Sequence, residues 1–318
     1  CQGGFDQADD RYMGMLGMHG TKTAAEALKH CDLFLAVGTR FSDRVICNAN
    51  LFARHCPIIQ IDIDPAEFNK NIDVTLKLGG DAKQILSLLN EKLEQQNHKE
   101  WIEQIKAWKK EYPLRQEAIE PNGVTPQMLF DALNELTKSE AIIATEVGQH
   151  QMWAAQFYEF RHPRQFITSG GLGTMGFGYG AAIGAQLGNP DKRVVHLTGD
   201  GSFHMNLNEA CTAVSNNLPI ITVIFNNTVL GMVYQWQTSF YEQRYSNTVP
   251  ERKTDFVKLI EAFGGTGYRA ETAEEFAAAY QKALQADGPV WIDCRIAKTD
   301  RVLPMIPNGK TIDDMIFE

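Results

Sequence analysis

The stretch GDGSFHMNLNEACTAVSNNLPIITVIFNN, residues 199–227, decides the fold of the carboxyl-terminal half of the chain. Short apolar runs typical of β-strands precede both of its ends, VVHLT before Gly199 and PIITVIF before Asn226. The intervening MNLNEACTAVSNN has the pattern of an amphipathic helix. A strand, a helix and a strand in this length form one right-handed crossover, so we predict two neighbouring parallel strands.

This crossover brings Asp200 and Asn227 to one edge of the predicted sheet. Open α/β sheets bind ligands at the carboxyl ends of their strands. One carboxylate and one amide oxygen suit Mg²⁺, whose other positions go to water and phosphate. The glycines beside Asp200 also let the backbone approach an anion at a helix start. Asp-Gly and Asn-Asn dipeptides also occur in ordinary polar turns, but the spacing between them here favours a site for a cation and a phosphate.

Composition limits the classes of function. The chain has 318 residues, of which 44% are apolar and 22% charged, enough for two domains with their own cores. The net charge of −9 and the lack of a basic tract argue against nucleic acid as a partner. No apolar run approaches the ~20 residues of a membrane span, so we expect no membrane partner. We expect a cytoplasmic protein, or one of an organelle stroma or matrix.

Six cysteines are scattered along the chain, and no two of them form a CxxC pair. Most of them lie among apolar residues. We therefore interpret them as reduced thiols rather than as disulfides or zinc ligands.

Alternating strand and helix patterns predict an α/β fold with two doubly wound, mostly parallel-sheet domains. We place a partial central α/β domain of nucleotide-binding style at residues 1–90, a helical linker at 91–122, and a second α/β domain with a carboxyl-terminal tail at 123–318; the resemblance described below implies that the first is of FAD type and the second binds the diphosphate. In the first domain, residues 51–56 (LFARHC) are predicted to be helical. In the linker, Trp101, Ile105 and Trp108 recur at helical spacing, which indicates a surface helix packed through this stripe.

A second glycine-rich segment covers residues 170–184, GGLGTMGFGYGAAIG. It contains a GxGxxG pattern from Gly171 to Gly176, which alone is a weak signal for a dinucleotide site. Gly176, Gly180 and Gly184 also fall four residues apart. We favour the interpretation that these three allow close backbone packing along one helix, with Met175 in the preceding loop projecting into a site.

The spacing of GDG, 24 residues and NN resembles the diphosphate-binding signature of thiamine-diphosphate enzymes. Four further stretches are MLGMHG (15–20), GQHQMWAAQ (148–156), TSGGLGTMGFG (168–178) and GMVYQWQ (231–237). Together they closely resemble the catalytic large subunits of the acetolactate synthase (acetohydroxyacid synthase) family. The resemblance extends over nearly the whole chain.

The resemblance implies roles for matching residues. Mg²⁺ would be held by Asp200, Asn227 and the carbonyl of Val229. Met175 matches the hydrophobic residue under the thiazolium that bends thiamine diphosphate, and a flexible thioether suits that contact. Trp236 matches the indole that shapes the pocket for the second keto acid. The cofactor-lining positions of the family correspond to Val147, Gly148, Gln149, His150, Gly173, Met175, Gly199, Asp200, Gly201, Ser202, Asn227, Val229, Leu230, Gly231, Met232 and Val233.

The resemblance also implies a flavin, FAD, in a non-redox role in the first domain. Arg44 has a second implied role, because it matches the residue that pairs with the carboxylate of the incoming keto acid. The family run RFDDR reads RFSDR here, with Ser42 in place of an acid, which weakens the flavin assignment. The matching positions are Met18, His19, Gly38, Arg40, Arg44, Asp62, Ile63 and Asp81.

The implied reaction is decarboxylation of pyruvate and ligation to a second 2-keto acid, in branched-chain amino acid biosynthesis. It gives 2-acetolactate or 2-aceto-2-hydroxybutanoate. The family also implies a homodimer or tetramer and a regulatory small subunit. Its cofactor-activating glutamate lies on a domain that precedes MLGMHG, whereas 14 residues precede it here. We therefore expect this chain to be the carboxyl-terminal part of a longer polypeptide, nearly inactive alone, and we interpret Glu146 as structural.

Two other functions stay open from the sequence alone. The chain could serve another thiamine-dependent enzyme, of pyruvate oxidase or glyoxylate carboligase type, although Trp236 and MLGMHG favour the synthase. It could instead be a noncatalytic nucleotide-binding module, whose ligand would need no divalent metal. A purely structural fragment fits poorly with so many polar residues at strand ends.

Overall fold

The chain divides into two compact units. The computed structural model describes residues 2–116 and 123–318. Asp10–Leu114 and Leu303–Glu318 form one unit, which we call the small-sheet unit, and the rest of the described chain forms the large-sheet unit. These units differ from the predicted boundaries, because the helical segment before Leu114 and the carboxyl-terminal tail both pack with the small sheet. Residues 117–122 of the predicted linker lie outside the described residues.

The small-sheet unit contains three parallel strands in the order β1-β2-β3. Short helices follow or precede the strands. The bounds are α1 Lys22–His30, β1 Phe34–Val37, α2 Asp43–Ile46, β2 Ile58–Asp62, β3 Leu76–Gly79, α3 Ala82–Lys92 and α4 Lys99–Glu111.

Residues 51–56, predicted to be helical, form turns instead. Ala53 has a φ of 47°, which interrupts any right-handed helix. Phe52 and Ala53 are both buried in the core of this unit. Burial of two adjacent side chains suits a turn, because a helix would place them 100° apart around its axis. Tertiary packing therefore overrides the local helical pattern here.

The helix α4 packs through the stripe that its sequence indicates. Ile105 and Trp108 are buried together with Ala27 of α1, and Trp101 packs against this cluster. The rings of Trp101 and Trp108 meet edge to face, with centroids 5.6 Å apart, an arrangement that aromatic pairs favour. The prediction of a surface helix held by this stripe is confirmed.

The large-sheet unit contains six parallel strands in the order β5-β4-β6-β7-β9-β8. The predicted α/β class with mostly parallel sheets is confirmed. Among the described residues, no helix has both the length and the apolar character needed to cross a bilayer. The bounds are α5 Pro126–Thr137, β4 Ile142–Thr145, α6 Gln149–Phe157, β5 Phe166–Ile167, α7 Gly178–Gly188, β6 Val194–Gly199, α8 Asp200–Phe203, α9 Ala210–Ser215, β7 Ile221–Asn226, α10 Gly231–Phe240, α11 Phe256–Phe263, β8 Thr266–Ala270, α12 Ala273–Ala283 and β9 Val290–Arg295.

Both faces of the large sheet are buried. Alternate residues along a strand enter different apolar clusters: Val195 and Val223 belong to one, and Val194 and Ile224 to the other. A strand covered on both faces has no polar side, which explains the continuous apolar runs VVHLT and PIITVIF. The sheet is thereby a rigid base, and Glu146, Asp200 and Asn227 lie just beyond the ends of its strands.

The crossover between β6 and β7 is less regular than predicted. In place of one long helix it contains the short α8, a 3₁₀ turn at Leu207–Glu209 and α9. The amides of Met205 and Asn206 donate to Ser202 and Phe203 carbonyls three residues earlier, which ends α8. Asn206 also donates its side-chain amide to the carbonyl of Gly176, 3.2 Å away. That contact ties the crossover to the glycine-rich segment.

The packing role predicted for Gly176, Gly180 and Gly184 is wrong. A side chain added at Gly180 or Gly184 would meet nothing within 4 Å, and Gly176 precedes α7. The closely packed glycine is Gly178, where a Cβ would come within 2.5 Å of the Glu146 amide nitrogen. The approach of α7 to β4 therefore depends on the first residue of the helix.

The packing of α4 generates a prediction. Replacing Ile105 by alanine (Ile105→Ala) should destabilise the small-sheet unit by about 2–5 kcal/mol, because it leaves a cavity between α1 and α4. Hydrogen–deuterium exchange should then be faster for the amides of both helices. The matched control is Gln104→Ala on the exposed face of α4. Equal protection in the two variants would show that the stripe does not hold α4.

Candidate functional site

The strand order places a crevice at the carboxyl ends of β4 and β6. From β4 the chain passes to β5 on one side, and from β6 it passes to β7 on the other, so the direction of winding reverses between them. Such a switch point is where open α/β sheets bind ligands. Gly199 at the end of β6 pairs with Phe225 of β7. The predicted pairing of these strands is confirmed, and Asp200 and Asn227 both follow at this edge.

A cavity of about 250 Å³ lies at this edge, within the large-sheet unit. Every residue predicted from the thiamine-enzyme resemblance to line the cofactor contributes to its wall. Three apolar side chains that the sequence did not single out complete the lining. The lining residues are Val147, Gly148, Gln149, His150, Met152, Trp153, Gly173, Met175, Gly199, Asp200, Gly201, Ser202, Phe225, Asn227, Val229, Leu230, Gly231, Met232 and Val233.

Asp200 presents a buried carboxylate to this cavity. Its Oδ2 accepts a hydrogen bond from Nη1 of Arg252 at 3.1 Å. Its Oδ1 is buried and has no hydrogen-bond partner among the described residues. Burial raises the pKa of Asp200, while the charge and hydrogen bond of Arg252 oppose that rise. A buried oxygen without a partner is costly, and a cation is the group that would satisfy it.

A chain of buried amides orients Asn227. Its Nδ2 donates to Oε1 of Gln149 at 3.2 Å, and Gln149 Nε2 in turn donates to Oε1 of Gln235 at 3.0 Å. Gln235 is anchored at both ends by the backbone of Val302. Because the amide nitrogen of Asn227 is taken up in this chain, its Oδ1 is directed elsewhere, where it accepts from the amide of Val229. That oxygen keeps a second lone pair for a ligand.

The two asparagines at the end of β7 have different tasks. Asn226 donates its side-chain amide to the buried carboxylate of Asp293, 2.7 Å away on the neighbouring strand, so it holds β7 to β9. Asn227 lines the cavity. Strand alternation separates the two side chains, and the second asparagine is the one available to a ligand.

Two glycines in the cavity wall allow a ligand to approach the backbone closely. A Cβ at Gly231 would overlap Oε1 of Gln149 and Nδ2 of Asn227, which would break the amide chain. Gly173 has a φ of 63°, a conformation that side chains disfavour. Both positions therefore require glycine, and they leave room for a ligand against the main chain.

Glu146 ties three parts of the site together. Its carboxylate accepts from the amides of Gly176 at 2.6 Å and Gly178 at 2.8 Å, and from the hydroxyl of Ser202 at 2.9 Å. It is completely buried, and burial raises its pKa while these hydrogen bonds oppose the rise. A carboxylate at a helix amino terminus is stabilised by the amides there. The interpretation of Glu146 as structural agrees with these contacts.

Two buried histidines lie behind the cavity as neutral rings. Burial lowers the pKa of His150 to about 3. Burial and the neighbouring His150 lower the pKa of His196 to about 3. His150 lines the cavity and its Nε2 has no partner among the described residues. The Asp200 carboxylate is instead paired with the guanidinium of Arg252.

Two of the contributors to this site were missed by sequence reasoning. Arg252 lies 52 residues after Asp200 in a segment without a motif, so no signal pointed to it. Gln235 lies inside GMVYQWQ, and its position next to predicted lining residues could have drawn attention to it. In the other direction, Trp236 packs edge to face against Phe240 and does not line the cavity. Its role in substrate selection stays a prediction.

In the small-sheet unit, the residues predicted to contact a flavin fall into two groups. Gly38, Asp62, Ile63 and Asp81 lie at or just after the carboxyl ends of the three strands, and Arg40 follows Gly38 by two residues. Asp62 accepts from the amide of Asp64 at 3.0 Å, and Asp81 caps α3. Each of these two carboxylates therefore already accepts a hydrogen bond from a nearby backbone amide.

The second group contains Met18, His19 and Arg44. Nη1 of Arg44 lies 3.9 Å from the sulfur of Met18. Burial, with a smaller effect of Arg44, lowers the pKa of His19 to about 4. Arg44 itself is largely exposed, and its guanidinium forms an exposed ion pair with Asp43, with Nη1 and Oδ2 3.9 Å apart.

Comparison with known proteins identifies the family. Residues 146–294 match the model of the thiamine pyrophosphate enzyme C-terminal TPP-binding domain, and residues 1–89 match that of the thiamine pyrophosphate enzyme central domain. The chain is 42% identical to acetolactate synthase 2, chloroplastic, of Nicotiana tabacum over 99% of its own length and 49% of the relative's. It is 41% identical to the mitochondrial acetolactate synthase catalytic subunit of Saccharomyces cerevisiae, over 99% and 48%.

A bacterial relative gives the same result. The chain is 40% identical to the acetolactate synthase isozyme 2 large subunit of Escherichia coli over 96% of its length and 55% of the relative's. The chain thus spans about half the length of the curated relatives it matches. Together with the domain matches, these similarities show that the chain belongs to the thiamine pyrophosphate enzymes and is a homologue of acetolactate synthase catalytic subunits.

Proposed function

We propose that this protein acts as the catalytic component of an acetolactate synthase. Its reaction would be decarboxylation of pyruvate and ligation of the remaining two-carbon unit to a second 2-keto acid, yielding 2-acetolactate or 2-aceto-2-hydroxybutanoate. Thiamine diphosphate, when bound, supplies a nucleophilic carbon and an electron sink for this chemistry. The homology to synthase subunits and the chemistry of the cavity both support the assignment.

The observation that carries the proposal is the buried, unpartnered Oδ1 of Asp200 at the edge shared with Asn227. A carboxylate oxygen, an amide oxygen and a backbone carbonyl are hard ligands of the kind that Mg²⁺ prefers. Asp200, Asn227 and the carbonyl of Val229 would supply them. A noncatalytic dinucleotide site would have no use for a buried acid facing the phosphates, because like charges repel.

Other residues of the cavity would bind the phosphates and exclude water. The backbone of Gly201 and Ser202 lies in the first turn after β6, where amides are free to donate to an anion. Met175, Met232 and Trp153 contribute apolar surface to the lining. An apolar wall limits the access of water and protons to a reactive carbon nucleophile.

The remaining parts of the proposal concern the small-sheet unit and the assembly. The strand-end residues Gly38, Asp62 and Asp81 are proposed to contact FAD in a non-redox role. Arg44 is proposed to pair with the carboxylate of the incoming keto acid, and its exposure is compatible with that contact. We also propose a homodimer or tetramer with a regulatory small subunit, by analogy with the family.

The cation site gives the central test. In the natural polypeptide that carries this chain, isothermal titration with thiamine diphosphate should show binding with Mg²⁺ and almost none after chelation. Asp200→Asn should weaken Mg²⁺-dependent binding at least about tenfold, equivalent to about 1.4 kcal/mol, because the amide lacks the charge that the cation requires.

The matched control is Asp191→Asn, which removes an exposed carboxylate in a turn and should leave binding unchanged. Metal-independent binding of thiamine diphosphate, or metal-independent binding of a dinucleotide in its place, would favour the nucleotide-binding alternative. Product analysis then separates the thiamine enzymes. Acetate or tartronate semialdehyde in place of acetolactate would identify an oxidase or a glyoxylate carboligase.

Glu146 generates a second prediction. Glu146→Gln keeps the size of the side chain but replaces one acceptor oxygen with a donor facing backbone amides, which should cost about 1–3 kcal/mol. Because Met175 lies next to Gly176 and Ser202 lines the cavity, thiamine diphosphate affinity should fall together with stability. Thermal unfolding and cofactor titration measure the two effects.

Glu159→Gln serves as the control, since Glu159 is exposed and its carboxylate pairs with Arg161 on the same segment. A Glu146→Gln protein with unchanged affinity and unchanged thermal stability would contradict the positioning role. A protein that loses activity but keeps both properties would instead indicate direct participation of Glu146 in the reaction.

A further inference from the structure

Three side chains with affinity for soft metals meet at the amino-terminal edge of the small sheet. Cys31 directly follows α1, whereas His55 and Cys56 lie in the turns that precede β2. The sulfurs of Cys31 and Cys56 are 3.6 Å apart. One ligand atom from each of the three residues lies within 4.8 Å of the other two. The fold therefore brings Cys31 to two adjacent residues that follow it by 24 and 25 positions in the sequence.

The separation of the sulfurs fits a shared tetrahedral cation. Zinc binds thiolate at about 2.3 Å, which places two thiolates of one tetrahedron about 3.8 Å apart. The observed 3.6 Å is close to that value. Binding would thus need almost no movement of the two cysteines. The imidazole of His55 needs only a side-chain adjustment, since it is exposed.

In contrast to the interpretation of the cysteines from sequence alone, we propose that Cys31, His55 and Cys56 form a Zn²⁺ site, with a solvent molecule as the fourth ligand. Two thiolates and an imidazole are the donor set that zinc favours. The site lies at the amino end of β2, whereas the predicted flavin residue Asp62 lies at its carboxyl end, about 13 Å further along the strand. The two ligand functions therefore use opposite edges of one sheet.

The thiols are poorly satisfied without a cation. Cys31 has the carbonyl of Leu28 as an acceptor at 3.3 Å, and Cys56 has that of Ala53 at 3.7 Å, and thiols are weak donors. A bound Zn²⁺ would displace one proton from each thiol, giving a site with no net charge.

The position of the cluster provides a route for the metal ion and determines which elements the ion would join. His55 also lines a cavity of about 290 Å³ within the small-sheet unit, which provides a route for the ion. The ion would fasten the end of α1 to the start of β2, close to the apolar core that contains Leu28 and Phe52. Because a ligand bound only by the folded state adds to its stability, the site would stabilise this unit.

Cobalt substitution tests the proposal. The whole protein, reduced and freed of metal with a chelator, is titrated with Co²⁺ alone. One equivalent should produce the thiolate-to-cobalt charge-transfer absorption and the intense visible bands of tetrahedral Co²⁺, and Zn²⁺ should abolish both. Co²⁺ bound at the oxygen-rich Asp200 site would give neither signal, so the outcome does not depend on the proposed thiamine site.

Three substitutions and one control complete the test. Cys31→Ser and Cys56→Ser should each abolish the charge-transfer absorption or reduce the affinity at least about tenfold, and His55→Gln should weaken binding in the same direction. Cys211→Ser is the matched control, since Cys211 is exposed and lies in the other unit. It should bind Co²⁺ as the unsubstituted protein does.

Three results would overturn the proposal. The first is the absence of thiolate absorption in a protein whose thiols are shown to be reduced. The second is a Cys31–Cys56 disulfide that persists under the reducing conditions used, detected by mass spectrometry. The third is full binding in Cys31→Ser. If Cys31→Ser fails to fold, the His55→Gln variant is used, because a change in an exposed side chain should leave the fold intact. Unchanged affinity of that variant for Co²⁺ would also overturn the site.

Discussion

The parallel pairing of β6 with β4 on one side and β7 on the other is the constraint on which the site depends. It brings the ends of three strands to one edge and reverses the winding there, which opens the crevice. Both faces of the sheet are packed with apolar side chains. Glu146, Asp200 and Asn227 lie just beyond the strand ends, where their polar groups do not disturb this core.

The polar groups at this edge are rigid because nearly all of them are satisfied by one another. Glu146 is held by backbone amides and by Ser202, and Asn227 is held through Gln149 and Gln235. Within the described chain, Oδ1 of Asp200 is an exception to this pattern. A frame held by these hydrogen bonds around an unsatisfied carboxylate oxygen is a preorganised arrangement, and preorganisation lowers the free-energy cost of binding a cation.

Local sequence patterns predicted secondary structure correctly where one hydrophobic periodicity or one apolar run dominated the segment. The apolar runs before Gly199 and Asn226 predicted both central strands, and the stripe from Trp101 to Trp108 predicted the buried face of α4. They failed where tertiary contacts compete with local preference. Residues 51–56 form turns because Phe52 and Ala53 are both buried in the core. The predicted crossover helix is interrupted where the side chain of Asn206 donates a hydrogen bond to the carbonyl of Gly176. The helical pattern around the glycines concealed that Gly178 is the packed one.

The sequence by itself determined the α/β class, the two central strands and the residue types at their ends, because these depend on side-chain polarity at short spacing. Resemblance to a family then assigned most of the cavity wall. Only the tertiary structure decided which atoms meet: Arg252 at Asp200, Gln235 at Gln149, and Cys31 beside Cys56. These contacts join residues between 25 and 86 positions apart, and such pairs are set by strand register and packing, which no local spacing encodes.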